Sequence, residues 1–142
     1  MFASPQFGHG RSPLNAGMYQ DVQTHTGING ANPHQLVAML FSTWVEVVTR
    51  ARGALRSGDI VAKCRSIGHA VRIVEEGLRS GLNLEAGGRL AQDLNDLYAY
   101  VTARLTYANL HNDDDALAEC LRLMRPVQEA WTEIAYDPAV RA

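Results

Sequence analysis

The sequence contains only two cysteines, Cys64 and Cys120, and they do not form a CxxC pair. Each falls within an apolar stripe of a helical pattern, where a free thiol behaves as a small hydrophobic side chain. A disulfide would need neighbouring helices and an oxidising compartment. None of the five histidines follows a glutamate by three residues, so the Glu-x-x-His pairs of di-iron bundles are lacking. We therefore expect neither a metal nor another cofactor.

Long hydrophobic runs and strong net charge are also lacking. The longest apolar run is Leu36–Phe41, far shorter than a membrane span. The opening MFASPQFGHG does not have the pattern of a secretory signal. A formal net charge of −2 argues against broad binding to nucleic acid or to anionic membranes. These features predict a cytoplasmic protein that neither inserts into membranes nor binds nucleic acid.

Glycine, proline and small polar residues are concentrated in residues 1–31. This composition buries too little surface to order itself, and it predicts a flexible N-terminal arm with Tyr19 as an apolar anchor. Residues 32–136 read as one helical domain, and residues 137–142 as a short C-terminal tail. We therefore predict a single domain with an arm and a tail.

Four amphipathic segments of about 20 residues follow the arm. Asn32 with Gln35 predicts an N-cap, and Gly58 predicts the end of the first helix at Ser57. Asp59 caps a second helix, a third spans about Arg89–Leu110, and HNDDD (111–115) precedes a fourth that Pro126 should bend or break. Short connections between such helices predict an all-α, antiparallel four-helix bundle. The expected core includes Leu90, Leu94, Leu97, Val101 and Leu105 on the third helix and Leu117, Cys120, Leu121, Met124, Val127, Trp131 and Ile134 on the fourth.

The second helix carries two lines of residues at helical spacing. Its predicted core stripe consists of Val61, Cys64, Ile67, Val71, Val74 and Leu78. The other line is small, apart from one isoleucine, and consists of Ala62, Ser66, Ala70, Ile73 and Gly77. That line predicts a shallow trough, which either packs against another helix of the bundle or receives a partner's amphipathic helix.

The third helix contains LYAYVTARLTYAN (97–109), which has more apolar surface than one buried stripe needs. Tyr100 and Tyr107 form a second stripe away from the core. Tyrosine suits a binding surface because it combines a large apolar area with a hydroxyl that tolerates water. The pattern favours contact with an outside partner or with a second copy of the chain.

His69 raises an enzymatic alternative, because histidine phosphotransfer domains are four-helix bundles with one exposed histidine. Helical phase places His69 away from the core stripe, and Arg72 follows where those domains carry a lysine. Ile73 occupies the position where they need a glycine, so a surface histidine without a catalytic task is favoured.

Several motifs together resemble the flagellar export chaperone family FliS. They are ANPHQLVAMLF (31–41), GDIVAK (58–63), GLRSGLNLEAGGRLAQDLNDLYAYVTARLTYANLHND (77–113) and EAW (129–131), with YQDV (19–22) in the arm. The resemblance implies a cytoplasmic helical chaperone, not an enzyme, that binds the disordered C-terminal segment of flagellin. It also implies that the chaperone prevents premature polymerisation and aids delivery to the flagellar type III export apparatus.

The resemblance also suggests which residues contact the partner. Those carried over from the family motifs are Tyr19, Leu36, Leu40, Tyr98, Tyr100, Leu105 and Asn109. Helical phase adds Ala70, Ile73, Gly77 and Tyr107. By phase, Tyr98 and Leu105 could instead belong to the core. A weak homodimer through the Tyr100 and Tyr107 face is a further possibility.

Overall fold

A computed structural model describes residues 32–135 of the chain. It contains α1 (Pro33–Ser57), α2 (Ile60–Arg72), a π-helical segment (Ile73–Arg79) that continues α2, α3 (Gly88–His111) and α4 (Asp114–Ala135). The described range contains no strand, and the predicted all-α four-helix bundle is confirmed. The predicted arm, with Tyr19, and the predicted tail lie outside the described residues.

Local capping signals determine where α1 begins and ends. The side chain of Asn32 accepts from the Gln35 backbone N–H at 2.8 Å, and the Gln35 side chain accepts from the Asn32 N–H at 3.1 Å. Gly58 has a φ of 78°, in the left-handed region that glycine adopts without strain and that commonly ends helices. Both predicted boundaries are confirmed. Asp59 caps α2 by accepting from the Ala62 N–H, again as predicted.

The helices pack as a ring around one core, in the order α1, α2 with its π-helical extension, α3, α4 and back to α1. Every helix contributes fully buried side chains, among them Trp44, Ile67, Leu105 and Met124. Because successive helices are antiparallel, both short turns lie at one end of the bundle. The start of α1, the connection 80–87 and the end of α4 lie at the other end.

The core face of α2 differs from the predicted stripe. Val61 is 66% exposed and Cys64 is exposed, whereas Ser66, Ala70, Ile73 and Gly77 are buried. The buried face therefore lies between the two predicted lines and is centred on Ala70. Small side chains at its centre let α1 approach closely, and a Cβ added at Gly77 would lie 3.0 Å from a terminal methyl of Leu40. Of the two alternatives for this line, the structure favours packing inside the bundle, because Ser66, Ala70, Ile73 and Gly77 are buried.

The last two turns of the predicted second helix are π-helical rather than α-helical. The Ser80 N–H donates to the Glu75 carbonyl, five residues earlier, at 3.2 Å. Side chains of the segment bond to α3: the Thr102 hydroxyl donates to Glu75 at 2.7 Å, and Arg79 donates to Asn95 at 2.8 Å. These bonds stabilise the wider turns, which are uncommon in helices and occur mostly in short pieces.

Two glycines form the entry to α3, each for a different reason. A Cβ at Gly87 would lie 2.6 Å from the Cβ of Ala91 and 2.7 Å from the carbonyl oxygen of Asn83, and Gly88 has a φ of 59°. Gly87 thus leaves room for Ala91, which is buried, whereas the preceding Leu90 is 68% exposed. The predicted core position of Leu90 is therefore wrong.

Helix α4 is a single helix that continues through Pro126, and Pro126 is exposed as its phase predicted. Its core residues Leu117, Cys120, Leu121 and Met124 are buried as predicted. The predicted core position of Ile134 is wrong: it is 45% exposed, because it lies one turn past Trp131, which is already level with the start of α1. Along residues 32–135, no helix combines the length and the apolar character that a membrane span requires.

Candidate partner-binding surface

The outer face of α3 carries a strip of exposed apolar side chains. Tyr100, Tyr107 and Leu110 are 46%, 41% and 77% exposed, and we call these three residues the tyrosine strip. Their spacing places them on one side of α3, away from the buried Val101 and Leu105. Both tyrosines therefore lie outward, as their helical phase predicted.

Tyr100 is held in place from the neighbouring helix. Its hydroxyl donates to one carboxylate oxygen of Glu119 on α4 at 2.6 Å, and Arg104 donates to the other at 2.8 Å. Both donors favour the charged carboxylate, so they lower the pKa of Glu119, with the Tyr100 bond the larger cause. The same bond raises the pKa of the Tyr100 hydroxyl. Glu119 on α4 thus binds both Tyr100 and Arg104 of α3.

Tyr107 is flanked along its own helix. The guanidinium carbon of Arg104, one turn earlier, lies 4.6 Å from the ring centroid, which is a cation–π distance. The His111 ring, one turn later, lies 4.2 Å away with an interplanar angle of 42°. The Tyr107 ring therefore has a neighbouring side chain on each side along α3.

The other predicted site residues are mostly inside the bundle. Leu40, Leu105 and Tyr98 are buried, and Leu36 is half-buried. Burial raises the pKa of the Tyr98 hydroxyl to about 12. Ala70, Ile73 and Gly77 are likewise buried, so they do not form an open groove in this structure. These residues shape the core on which the surface rests.

Asn109 is bonded to a buried lysine. Lys63 on α2 is 2% exposed, and its ammonium group donates to both the backbone carbonyl and the side-chain oxygen of Asn109 at 2.9 Å. The carbonyl belongs to the last turn of α3, where a cation is favourable. Asn109 therefore holds the end of α3, next to Leu110, against the first turn of α2.

Arg104 and Glu119 were absent from the sequence-based site. Arg104 lies between the two tyrosines at helical spacing, so its position beside them could have been inferred from phase. Glu119 lies on another helix, and its contact depends on how α3 and α4 pack, which periodicity does not give. His69 is exposed on α2, as its helical phase predicted, and this exposure fits a surface histidine without a catalytic task as well as the phosphotransfer alternative.

The family model described as "Flagellar protein FliS" matches residues 15–138, which is most of the chain. The chain belongs to the FliS family. A FliS relative from Salmonella typhimurium, named flagellar secretion chaperone FliS, is 40% identical over 117 residues, covering 82% of this chain and 87% of its own length.

Two further FliS relatives have similar coverage. The Pseudomonas aeruginosa protein named flagellar secretion chaperone FliSB is 39% identical, covering 83% of this chain and 93% of its own length. The Escherichia coli protein named flagellar secretion chaperone FliS is 34% identical, covering 86% and 90%. The predicted FliS resemblance is confirmed, and the relatives carry the names of chaperones rather than of enzymes.

Proposed function

We propose that this chain is a cytoplasmic export chaperone for flagellin. In this proposal it binds the disordered C-terminal segment of newly made flagellin, prevents premature polymerisation, and aids delivery to the flagellar type III export apparatus. The names of its FliS relatives support a secretion chaperone. The observation that carries the choice of surface is the tyrosine strip, which is exposed on α3 and whose Tyr100 is hydrogen-bonded to Glu119.

The strip suits an amphipathic client segment. Exposed tyrosines offer apolar area, and Tyr100 already has a partner for its hydroxyl, so contact with its ring leaves no polar group unpaired. Ordered side chains also lose less conformational entropy on binding than free ones. A helix of the client that lies along α3 would bury the strip together with its own apolar face.

Burial of the client's apolar face would explain the chaperone activity. A flagellin end that packs against other flagellin copies in the filament exposes the same apolar face while it is unassembled. A chaperone that covers this face blocks self-assembly by occupying it. Ordering a disordered segment consumes part of the interaction energy, about 2–5 kcal/mol or more, so a large interface can still release its client at the export apparatus.

Isothermal titration calorimetry with the C-terminal segment of flagellin from the same organism tests the proposal. We expect one-to-one binding with a negative heat-capacity change, because apolar surface is buried. Tyr107→Ala should weaken binding about tenfold, since tyrosines often dominate interface energies. Leu90→Ala is the matched control: it truncates an exposed apolar side chain on the same helix but outside the strip, and its affinity should stay within about twofold.

Each result has a definite meaning. Absence of binding by the wild-type chain would refute the flagellin proposal. Binding that Tyr107→Ala leaves unchanged would keep the chaperone role and refute the tyrosine strip as its site. A stable dimer that persists on addition of the flagellin segment, seen by sedimentation, would favour self-association through this face instead.

A further inference from the structure

The two ends of the described chain are joined by a reciprocal contact that the proposed function does not use. The Trp131 indole N–H donates to the His34 carbonyl at 3.0 Å, and His34 Nε2 donates to the Trp131 carbonyl at 3.3 Å. The two rings are stacked, with centroids 4.1 Å apart and planes 10° apart. We call this pair the His34–Trp131 clasp. It joins the first turn of α1 to the end of α4.

The part of α4 that carries Trp131 is separated from the rest of the helix by Pro126. Proline has no backbone N–H, so the hydrogen-bond ladder is interrupted at this residue, where the Arg122 carbonyl would otherwise be paired. Interruption of the ladder weakens the mechanical coupling between the two halves of the helix. Residues 114–125 and residues 127–135 can therefore differ in local stability.

Burial differs sharply between these two halves. The first half contributes five buried core residues, Ala116, Leu117, Cys120, Leu121 and Met124. In the second half Val127, Gln128 and Trp131 are half-buried, and residues 129, 130 and 132–134 are exposed. Few buried apolar contacts are a mark of segments that open locally. The clasp thus attaches the second half to α1 through two hydrogen bonds and a ring stack.

We propose that residues 127–135 form a latch, which opens and closes as a unit while the remainder of the bundle stays folded. The clasp holds the latch closed. With the latch closed, Phe41 is 1% exposed and its ring centroid lies 6.5 Å from that of Trp131. Opening of the latch would remove the Trp131 ring from Phe41. The latch therefore controls access to apolar surface at the start of α1. This inference does not depend on the proposed function.

Amide hydrogen exchange on the full chain, measured by mass spectrometry, tests the latch. In the wild type, amides of residues 128–135 should exchange faster than those of residues 117–125. His34→Ala lies on another helix, so it can affect the latch only through the clasp; it should speed exchange of residues 128–135 about tenfold and leave residues 117–125 within about twofold. Ile134→Ala, an exposed truncation within the latch but outside the clasp, is the control and should change neither.

A second variant tests the role of the proline. Pro126→Ala restores the missing backbone donor, so exchange in residues 128–135 should slow towards that of residues 117–125. Equal exchange of both halves in the wild type would overturn the latch. So would acceleration of both halves alike by His34→Ala, because α4 would then open as one unit. Unchanged exchange in α2 and α3 verifies that each variant is folded.

Discussion

At Gly77 the extension of α2 lies close to Leu40 of α1. A methyl group added there would lie 3.0 Å from a terminal methyl of Leu40, which is itself fully buried. Gly68, on the same helix, has open space where its Cβ would be and is exposed. The two glycines thus differ in the space around them, and they also differ in backbone, since Gly68 is α-helical and Gly77 is π-helical.

Gly77→Ala should destabilise the protein by about 1–3 kcal/mol, because the added methyl overpacks a filled core. Gly68→Ala should stabilise it by about 0.5–1 kcal/mol, because alanine favours an exposed helix interior. Urea unfolding followed by circular dichroism measures both changes. The same sign of change in the two variants would contradict the close approach at Gly77.

Asp114 connects α4 to α1 through an ion pair. Arg52 on α1 donates to both carboxylate oxygens of Asp114, the first residue of α4, at 2.8 and 3.0 Å. The Arg52 hydrogen bonds, more than its charge at a distance, hold the pKa of Asp114 below its usual value. The folded state therefore favours the ionised carboxylate, and the link stabilises the bundle only while Asp114 is charged.

The stability lost in Asp114→Asn should therefore depend on pH. The wild type should exceed the variant by a constant free energy of unfolding at all pH values well above the usual aspartate pKa of about 4. The difference should shrink as pH falls through the lowered pKa of Asp114 in the folded state, since both proteins then carry a neutral side chain. Urea unfolding at several pH values between 2 and 7 measures it. A difference that is independent of pH would show that charge plays no part in the link.

The limits of sequence-based prediction are clearest at the scale of the element. The bounds of α1 were predictable because Asn32, Gln35 and Gly58 act through bonds to residues a few positions away. The core face of α2 was not, because two plausible lines of residues lie on either side of it and the buried Lys63 looks like a surface residue. The π-helical turns depend on Glu75 and Arg79 bonding to α3, which is tertiary information.

The same distinction applies to the candidate site. Exposure of Tyr100 and Tyr107 followed from helical phase within α3. The contact of Tyr100 with Glu119 did not, because it requires the relative position of two helices. For Ala70, Ile73 and Gly77, helical phase leaves both packing inside the bundle and contact with a partner open, for the same reason that it does not give the core face of α2. Local periodicity thus predicts which face is outward only where one stripe is dominant.

At the scale of the whole molecule, charge contributes little to the proposed binding. The chain has a formal net charge of −2, and Arg104 and Glu119 beside the strip neutralise one another. We therefore expect the dissociation constant for the flagellin segment to change less than about threefold between 0.05 and 0.5 M salt, because apolar burial is not screened by ions. Calorimetric titrations at these salt concentrations check it. A tenfold loss of affinity would instead indicate recognition through charge.

The stacking of His34 on Trp131 also brings the two ends of the described residues together. The start of α1 and the end of α4 lie side by side. The same end of the bundle contains the connection 80–87, in which residues 84–86 are exposed. Circular permutation is tolerated at such exposed connections when the original termini are close. A permuted chain that begins with α3 and ends with α2 would retain the ring of helices, and its new ends would lie at the end of the bundle where α1 begins and α4 ends.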